Sequence, residues 1–122
     1  MTVRDSKVLT VVLTKALLRS AALLDLSGSQ LAAVLGVSEA TISRMAHGTV
    51  KLKRGSKEAE LATLLVRCFH ALDALVGGND EQRRKWMATY NAGLNGIPRE
   101  LVTTAEGLVR TVSYLDHVRN PL

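Results

Sequence analysis

The histidines and the single cysteine are the side chains with which this chain could perform nucleophilic catalysis or bind a metal ion. The three histidines, His47, His70 and His117, are scattered along the sequence, and Cys68 is the only cysteine. Cys68 and His70 lie two residues apart in a helical pattern, so their side chains point to different faces of the helix. Neither a zinc ligand set nor a nucleophile with its base is assembled, and no glycine-rich phosphate loop occurs. We therefore expect a protein that is not an enzyme and that needs no metal or cofactor.

Polar side chains that could read DNA are grouped in residues 30–47, QLAAVLGVSEATISRMAH. Apolar residues at helical spacing continue across Gly36, and glycine is the residue that a tight turn between two helices requires. Ser38 is placed to cap the second helix, and Glu39 suits the positive end of its dipole. The segment predicts a helix-turn-helix whose second helix enters the major groove, although a plain helical hairpin within an all-α core is the alternative. The expected DNA contacts in this segment are Gln30, Ser38, Glu39, Ala40, Thr41, Ser43, Arg44 and His47.

Positive charge is concentrated just after that segment. The chain has 16 Lys and Arg against 11 Asp and Glu, a formal net charge of +5, which suits a polyanionic partner. No acidic residue occurs between positions 40 and 57. We expect Lys51, Lys53 and Arg54 to contact DNA phosphates, with a solvated basic loop as the alternative.

The composition predicts that helices position these residues. Hydrophobic residues make up 47% of the chain and aromatic residues only 3%, which favours an all-α fold packed through Leu, Val and Ala. The first helix is expected from Ser6 or Lys7 to about Leu24. Charged residues interrupt its apolar pattern, so we expect no membrane span, and a single cysteine fits the reducing cytoplasm.

A long helix capped by Ser56 is expected to reach Leu75 or Val76. Its apolar residues repeat at spacings of four and three, which favours a stripe facing the core, with a dimer seam as the alternative. The residues of this stripe are Leu61, Leu65, Cys68, Leu72 and Leu75. Paired glycines then end the helix. They divide the chain into a helix-turn-helix domain, residues 1–78, and a second helical domain, residues 79–122.

The second domain is expected to contain two helices separated by a turn-rich stretch, residues 91–98. Asn79 with Gln82 and Thr103 with Glu106 are each spaced as the capping box of a helix. Gly107, in the first turn of the last helix, lowers helix stability unless another backbone segment must approach closely there.

The run WMATYNAGLNGIPRELVTTAEGLVRTVSYL, residues 86–115, resembles the toxin-binding domain of the Xre/MbcA/ParS antitoxin family. Antitoxins of this family also carry an N-terminal helix-turn-helix, so the resemblance covers nearly the whole chain. The match is carried by Trp86, Asn91, Leu94, Gly96, Pro98, Leu101, Thr104, Glu106, Gly107, Val112 and Leu115.

What the resemblance implies is a type II antitoxin whose partner is a RES-domain toxin, a protein similar to ADP-ribosyltransferases that consumes NAD or modifies a target with it. In the family the C-terminal lobe covers the active site of the toxin. The chain departs from the family at its end, Arg119-Asn120-Pro121-Leu122, where family members often have a glycine. Carried over to this sequence, the residues that would contact the toxin are Asn91, Leu94, Asn95, Gly96, Pro98, Arg99, Glu106, Gly107, Arg110 and Arg119.

Two functions are therefore compared. The first is an antitoxin that neutralises a RES-domain toxin and binds operator DNA to repress its own operon. The alternative is a stand-alone transcription regulator of the phage-repressor type whose C-terminal lobe serves only for dimerisation. Under either function we expect a cytoplasmic homodimer, because helix-turn-helix proteins usually bind two-fold operators as dimers.

Overall fold

A computed structural model of the chain describes residues 2–121. Within those residues the fold is all-α, as the composition predicts, and the only β-type pairing is an isolated bridge between Asn91 and Gly96. The helices in chain order are α1 (Val3–Leu23), α2 (Gly28–Leu35), α3 (Glu39–Ala46), α4 (Lys57–Leu75), α5 (Asp80–Ala88), α6 (Pro98–Leu101) and α7 (Ala105–Arg119).

Side-chain caps fix where most of these helices begin. α1 starts earlier than its apolar pattern suggests, because Thr2 and Asp5 form a capping box that adds a polar first turn. The hydrogen bonds from Thr2 also lower the pKa of Asp5. Ser56 caps α4 as expected by accepting from the amide of Ala59 at 3.1 Å. Asn79 caps α5 by accepting from the amide of Gln82 at 2.9 Å.

The expected cap of the last helix is wrong by one residue. Thr104, not Thr103, is the N-cap of α7, and its hydroxyl accepts from the amide of Gly107 at 3.0 Å. The hydroxyl of Thr103 instead donates at 2.6 Å to the carbonyl of Glu100, a residue of α6. The short helix α6, with Pro98 in its first turn, was not expected and shifts the start of α7.

α4 is the central helix of the molecule. α1 packs along one side of it and α7 along another, while α2 and α3 pack on each other and α2 also contacts α4. The predicted stripe faces the core, since Leu65, Cys68 and Leu72 are fully buried. Leu75, at the end of the stripe, is 41% exposed and lies outside the core. The buried residues of both halves of the chain form one continuous cluster.

A buried arginine joins α5 to the rest of the molecule. Arg83 is 3% exposed, and its guanidinium contacts Asp73 and Asp80, each at 2.8 Å. It also donates to the carbonyl of Leu23 at the end of α1, at 3.4 Å, and lies over the ring of Phe69. Desolvation lowers the pKa of this guanidinium, but the hydrogen bonds and attraction from the two carboxylates outweigh it and the net shift is upward. The polar sequence of α5 gave no signal for this role.

None of the single helices in residues 2–121 is both long and apolar enough to cross a membrane. Only α4 and α5 together reach such a length and composition, and the chain bends by 119° between them. The division of the chain into two domains after residue 78 stays a prediction. In the structure α4 packs against helices of both halves.

Candidate functional site

The turn between α2 and α3 has the geometry of a helix-turn-helix. Gly36 ends α2 in the left-handed conformation, with φ 69° and ψ 34°. A Cβ added at Gly36 would meet no atom within 4 Å, so the backbone angle and not lack of space calls for glycine here. Ser38 then caps α3 by accepting from the amide of Thr41 at 3.1 Å. The predicted pair of helices and the predicted cap are both confirmed.

α3 buries one face and presents the other to solvent. Ile42 and Met45 lie in the core and fix the rotation of the helix about its axis. The exposed face carries most of the predicted DNA-reading residues, namely Ser38, Glu39, Ala40, Ser43, Arg44 and His47, while Thr41 is half-buried. This side of α3 is therefore open to a partner along its whole length.

Several polar groups on this face are already hydrogen bonded to one another. The hydroxyls of Ser38 and Thr41 lie 3.0 Å apart, and Arg44 Nη2 donates to Thr41 Oγ1 at 3.4 Å. His47 Nδ1 lies 2.7 Å from the carbonyl oxygen of Ser43. Arg44 is thus held beside the helix by a long hydrogen bond that a stronger acceptor, such as a base edge, can replace.

Gln30 has a structural role that the sequence reading did not assign. The side-chain carbonyl of Gln30 accepts from the backbone amide of Ser27 at 2.8 Å, and the backbone amide of Gln30 donates to the hydroxyl of Ser27 at 3.1 Å. This capping box starts α2, so only the side-chain NH₂ of Gln30 is left to donate to a DNA phosphate.

The basic connector between α3 and α4 is anchored at its middle and exposed elsewhere. Leu52 is buried, and its amide donates to the hydroxyl of Thr14 in α1 at 3.1 Å. Lys51, Lys53 and Arg54 on either side of it are exposed. The chain therefore holds these three cations in place beside the C-terminal end of α3.

α1 contacts the basic connector, and the sequence did not predict this contact. Arg54 Nη1 donates to Ser6 Oγ at 3.0 Å and brings the first turns of α1 against the connector. A contact between residues this far apart in the chain leaves no local pattern from which it could be predicted.

The turn-rich stretch of the second lobe, residues 91–98, is a closed and ordered loop, which we call the 91–98 loop. The amide of Asn91 donates to the carbonyl of Gly96 at 2.8 Å and that of Gly96 to the carbonyl of Asn91 at 3.3 Å. The side chain of Asn91 accepts from the amide of Leu94 at 3.0 Å. Asn95 has a positive φ of 56°, and its side chain accepts from the hydroxyl of Tyr90 at 2.7 Å.

Close contacts seat the 91–98 loop on α6 and α7. A Cβ added at Gly93 would lie 2.5 Å from the ring of Tyr114, and one added at Gly96 would lie 3.0 Å from the side chain of Leu101. The side chain of Leu94, within the loop, is buried, and Arg110 of α7 donates to the carbonyl oxygen of Leu94. Trp86 is half-buried and borders, with Tyr90 and Asn91, a shallow cavity of about 390 Å³ at the start of the loop.

Gly107 is explained by the predicted close approach of another backbone segment. A Cβ built on Gly107 would lie 1.9 Å from the carbonyl oxygen of Leu101 and 2.9 Å from Thr104 Oγ1. Glycine is therefore required for α6 to turn directly into α7. The contact lies within the chain, so it positions the lobe and leaves Gly107 buried.

The residues expected to contact a toxin fall into groups of different exposure. Leu94, Pro98 and Gly107 are buried and shape the surface from below. Arg99 is half-buried and donates to Asp25, in the turn between α1 and α2, at 3.2 Å, while Arg110 holds the loop. Asn95, Glu106 and Arg119 are exposed, and Asn91 and Gly96 are half-buried. Of the last four residues, Arg119-Asn120-Pro121-Leu122, Leu122 lies outside the described residues.

Cys68 and the histidines form no reactive centre in the part of the chain that the structure describes. Cys68 is fully buried, and burial raises the pKa of its thiol to about 12, with a smaller contribution from Asp116. His47, His70 and His117 are exposed on three different helices or helix ends. Among residues 2–121 no three His, Cys, Asp or Glu side chains are placed together to hold a metal ion.

An exposed α3 beside a basic connector, followed by an ordered loop lobe, defines a small helix-turn-helix protein with two separate surfaces. Residues 4–67 match the antitoxin Xre-like helix-turn-helix domain, and residues 71–120 match the antitoxin Xre/MbcA/ParS C-terminal toxin-binding domain. The chain therefore belongs to the Xre/MbcA/ParS antitoxin family, and its two domains imply DNA and a toxin as partners. No curated protein matches the chain.

Proposed function

We propose that this chain is the antitoxin of a RES-domain toxin and that it represses its own operon in the cytoplasm as a homodimer. The observation that carries the proposal is the presence, in one short chain, of a helix-turn-helix match and a toxin-binding match, each with an exposed surface. The choice of a RES-domain toxin rests on the resemblance in residues 86–115. Both matched families consist of regulators that are not enzymes.

The DNA surface of the proposal consists of α3 and the connector. The exposed side chains of Glu39, Ala40, Ser43 and Arg44 supply acceptors, a methyl group and a bidentate donor, the groups that base edges in the major groove recognise. Lys51, Lys53 and Arg54 supply phosphate contacts that orient the helix without reading sequence. His47 and Ser38, at the two ends of α3, lie where helix termini approach the DNA backbone.

The toxin surface of the proposal consists of the exposed parts of the 91–98 loop with the two ends of α7. The internal hydrogen bonds of the loop hold it in one shape before binding, so little conformational entropy is lost when it docks. Glu106 is exposed in the first turn of α7, and Arg119 is exposed in its last turn. We propose that this surface covers the active-site cleft of the toxin, with Arg119 directed towards nucleotide phosphates or acidic groups there.

The test is coexpression with the reading frame adjacent to the gene, which the proposal requires to encode a RES-domain toxin. We expect the toxin alone to arrest growth, and the full antitoxin to restore growth and to copurify with it. A fragment of the chain's own promoter should be shifted by the antitoxin in a gel. Normal growth arrest despite the antitoxin, with no complex, would contradict the proposal and favour a stand-alone repressor with a dimerisation lobe.

Two variants separate the two surfaces. Arg44→Ala should weaken promoter binding and keep neutralisation, because Arg44 lies on α3. Arg119→Glu should do the reverse, because Arg119 ends α7. Variants that lose both activities together would show that the two surfaces are not independent as proposed.

A further inference from the structure

A stripe of exposed side chains runs along α1 on the side that faces away from the core; we call it the α1 stripe. It consists of Asp5, Val8, Val12, Lys15 and Arg19, all of them exposed. Their spacings of three, four, three and four residues place them on one face of a helix with 3.6 residues per turn. Thr14, Leu17 and Ala21, which face the core, project from the opposite side.

The apolar residues at the centre of the α1 stripe are exposed to solvent. Val8 is 55% and Val12 is 57% exposed, and Leu9, which borders the stripe on the side of α4, is 47% exposed. Neighbouring apolar side chains in solvent, framed by charged residues, are typical of a surface that meets another protein. The two valines therefore indicate a partner along α1.

The order of residues in the α1 stripe identifies that partner. Four residues of the stripe are placed symmetrically about position 10, with Val8 and Val12 at equal distances from it and Asp5 and Lys15 at equal, larger distances, while Arg19 lies beyond them. In two antiparallel copies, Val8 of each faces Val12 of the other, and Asp5 of each faces Lys15 of the other. In two parallel copies, Asp5 would face Asp5 and Lys15 would face Lys15, which like-charge repulsion disfavours.

The surroundings of the stripe leave it free to pair. Among the described residues, the hydrogen bonds that the carboxylate of Asp5 accepts come from Thr2, from its amide at 3.2 Å and its hydroxyl at 2.8 Å. Lys15 makes no ion pair within residues 2–121 and borders a cavity beside Gly48 and Lys51. The amide of Leu52 donates to Thr14, and Arg54 donates to Ser6, so α1 is fixed on its inner side.

We propose that two copies of the chain form a symmetric dimer through antiparallel packing of their α1 helices about Val8 and Val12, with Asp5 of each copy paired with Lys15 of the other. Such an interface is isologous, and its two-fold axis relates the two copies of α3 to each other. The inference deepens the proposed function by naming the dimer surface, and its test needs neither DNA nor toxin.

The first test measures self-association of the full chain by sedimentation equilibrium. Val12→Glu should raise the dimer dissociation constant at least tenfold, because it places two uncompensated carboxylates in the apolar centre of the interface. The matched control is Val109→Glu, at a valine of α7 that is also exposed (48%), which should leave the dissociation constant unchanged. A wild-type chain that stays monomeric at about 100 μM, or a Val12→Glu variant that dimerises normally, would overturn the proposal.

A charge swap tests the pairing and its direction. Lys15→Asp places two aspartates together at each end of the interface and should weaken dimerisation about fivefold. The double variant Asp5→Lys, Lys15→Asp restores opposite charges and should dimerise better than Lys15→Asp, although it loses the capping box of α1. Far-UV circular dichroism checks that each variant is folded. A double variant no better than Lys15→Asp would refute the antiparallel register, while neutralisation of the toxin by Val12→Glu would leave the antitoxin proposal standing.

Discussion

At the scale of single residues, Gly107 decides how the second lobe is built. An added Cβ would lie 1.9 Å from the carbonyl oxygen of Leu101, which is backbone and has no alternative rotamer. We expect Gly107→Ala to lower the free energy of unfolding by about 3 kcal/mol, in the range of severe overpacking. The measurement is urea denaturation.

Gly28→Ala is the matched control for that change. Gly28 also lies in the first turn of a helix, but a Cβ there meets nothing within 4 Å. Alanine at this position should be neutral or stabilise the fold by up to about 1 kcal/mol, because it restricts the unfolded chain. Equal effects of the two substitutions would show that the contact with Leu101 is not what selects glycine at position 107.

Cys68 is expected to be chemically silent in the folded protein. The thiolate is the reactive form, and burial raises the pKa of this thiol to about 12. Because the folded protein keeps the thiol neutral, the contribution of Cys68 to the free energy of unfolding depends on pH. This contribution is fully present below the unfolded pKa of about 8.5 and is lost as the pH rises towards 12. An aromatic disulfide reagent at pH 8 should modify the wild type only after urea is added. A Ser113→Cys variant, exposed on α7, should react at once, and rapid reaction of the native wild type would contradict the burial of Cys68.

At the scale of elements, α3 and the connector should contribute to DNA binding in different ways. Arg44→Ala should weaken binding to the chain's own operator by about 1–3 kcal/mol if Arg44 makes a bidentate base contact, and should relax discrimination between sequences. Lys53→Ala should weaken binding to all sequences alike and lower the slope of log affinity against log salt by about 1. Titration of operator and unrelated DNA at several salt concentrations measures both effects.

The control for both substitutions is Arg84→Ala. Arg84 is exposed on α5, in the half of the chain that matches the toxin-binding domain. Removing its charge changes the net charge as much as the other two substitutions do, but should leave operator affinity and the salt slope close to those of the wild type. An effect of Arg84→Ala as large as that of Lys53→Ala would mean that net charge, not the connector, governs binding.

Elements whose signals are local could be predicted from the sequence, and contacts between distant elements could not. Ser38, Gly36 and Ser56 act on the residues next to them, so their caps and turn were readable directly. The predicted start of α7 was wrong by one residue, because either of two adjacent threonines could cap the helix. The hydroxyl of Thr103 donates to a carbonyl of the unexpected helix α6, and Thr104 caps α7. Arg83 and Arg99 pair with partners on other helices or turns, and no spacing in the sequence indicates such pairs.

The same distinction applies to the candidate sites. The exposed face of α3 follows from helical periodicity, and most of the residues predicted for it are exposed, while Thr41 is half-buried. Arg110 and Arg99 were expected to face a toxin, but each is hydrogen bonded within the chain, to Leu94 and to Asp25. Whether an arginine side chain extends into solvent or donates hydrogen bonds within the chain depends on acceptors that only the folded chain brings close.

At the scale of the whole molecule, the two functional halves share one core. α4 packs against α1 on one side and α7 on the other, and its fully buried residues Leu65, Cys68 and Leu72 belong to a single continuous cluster. Arg83 and Arg99 add polar links from the second half to the end of α1 and to the turn after it. Neither half retains a complete core without the other.

We therefore expect the chain to unfold in one cooperative transition, not as two domains divided after residue 78. Trp86 is the only tryptophan and lies in the second half, so its fluorescence reports on that half, while far-UV circular dichroism reports on all helices. The two signals should give the same urea midpoint, because breaking the contact of α7 with α4 exposes the core that α1 also uses. A fragment of residues 1–78 should lack a cooperative transition, since it leaves the α7 side of α4 in water. A Trp86 midpoint well below that of circular dichroism would instead mean that the second half opens by itself, as a lobe that folds fully only on its toxin would do.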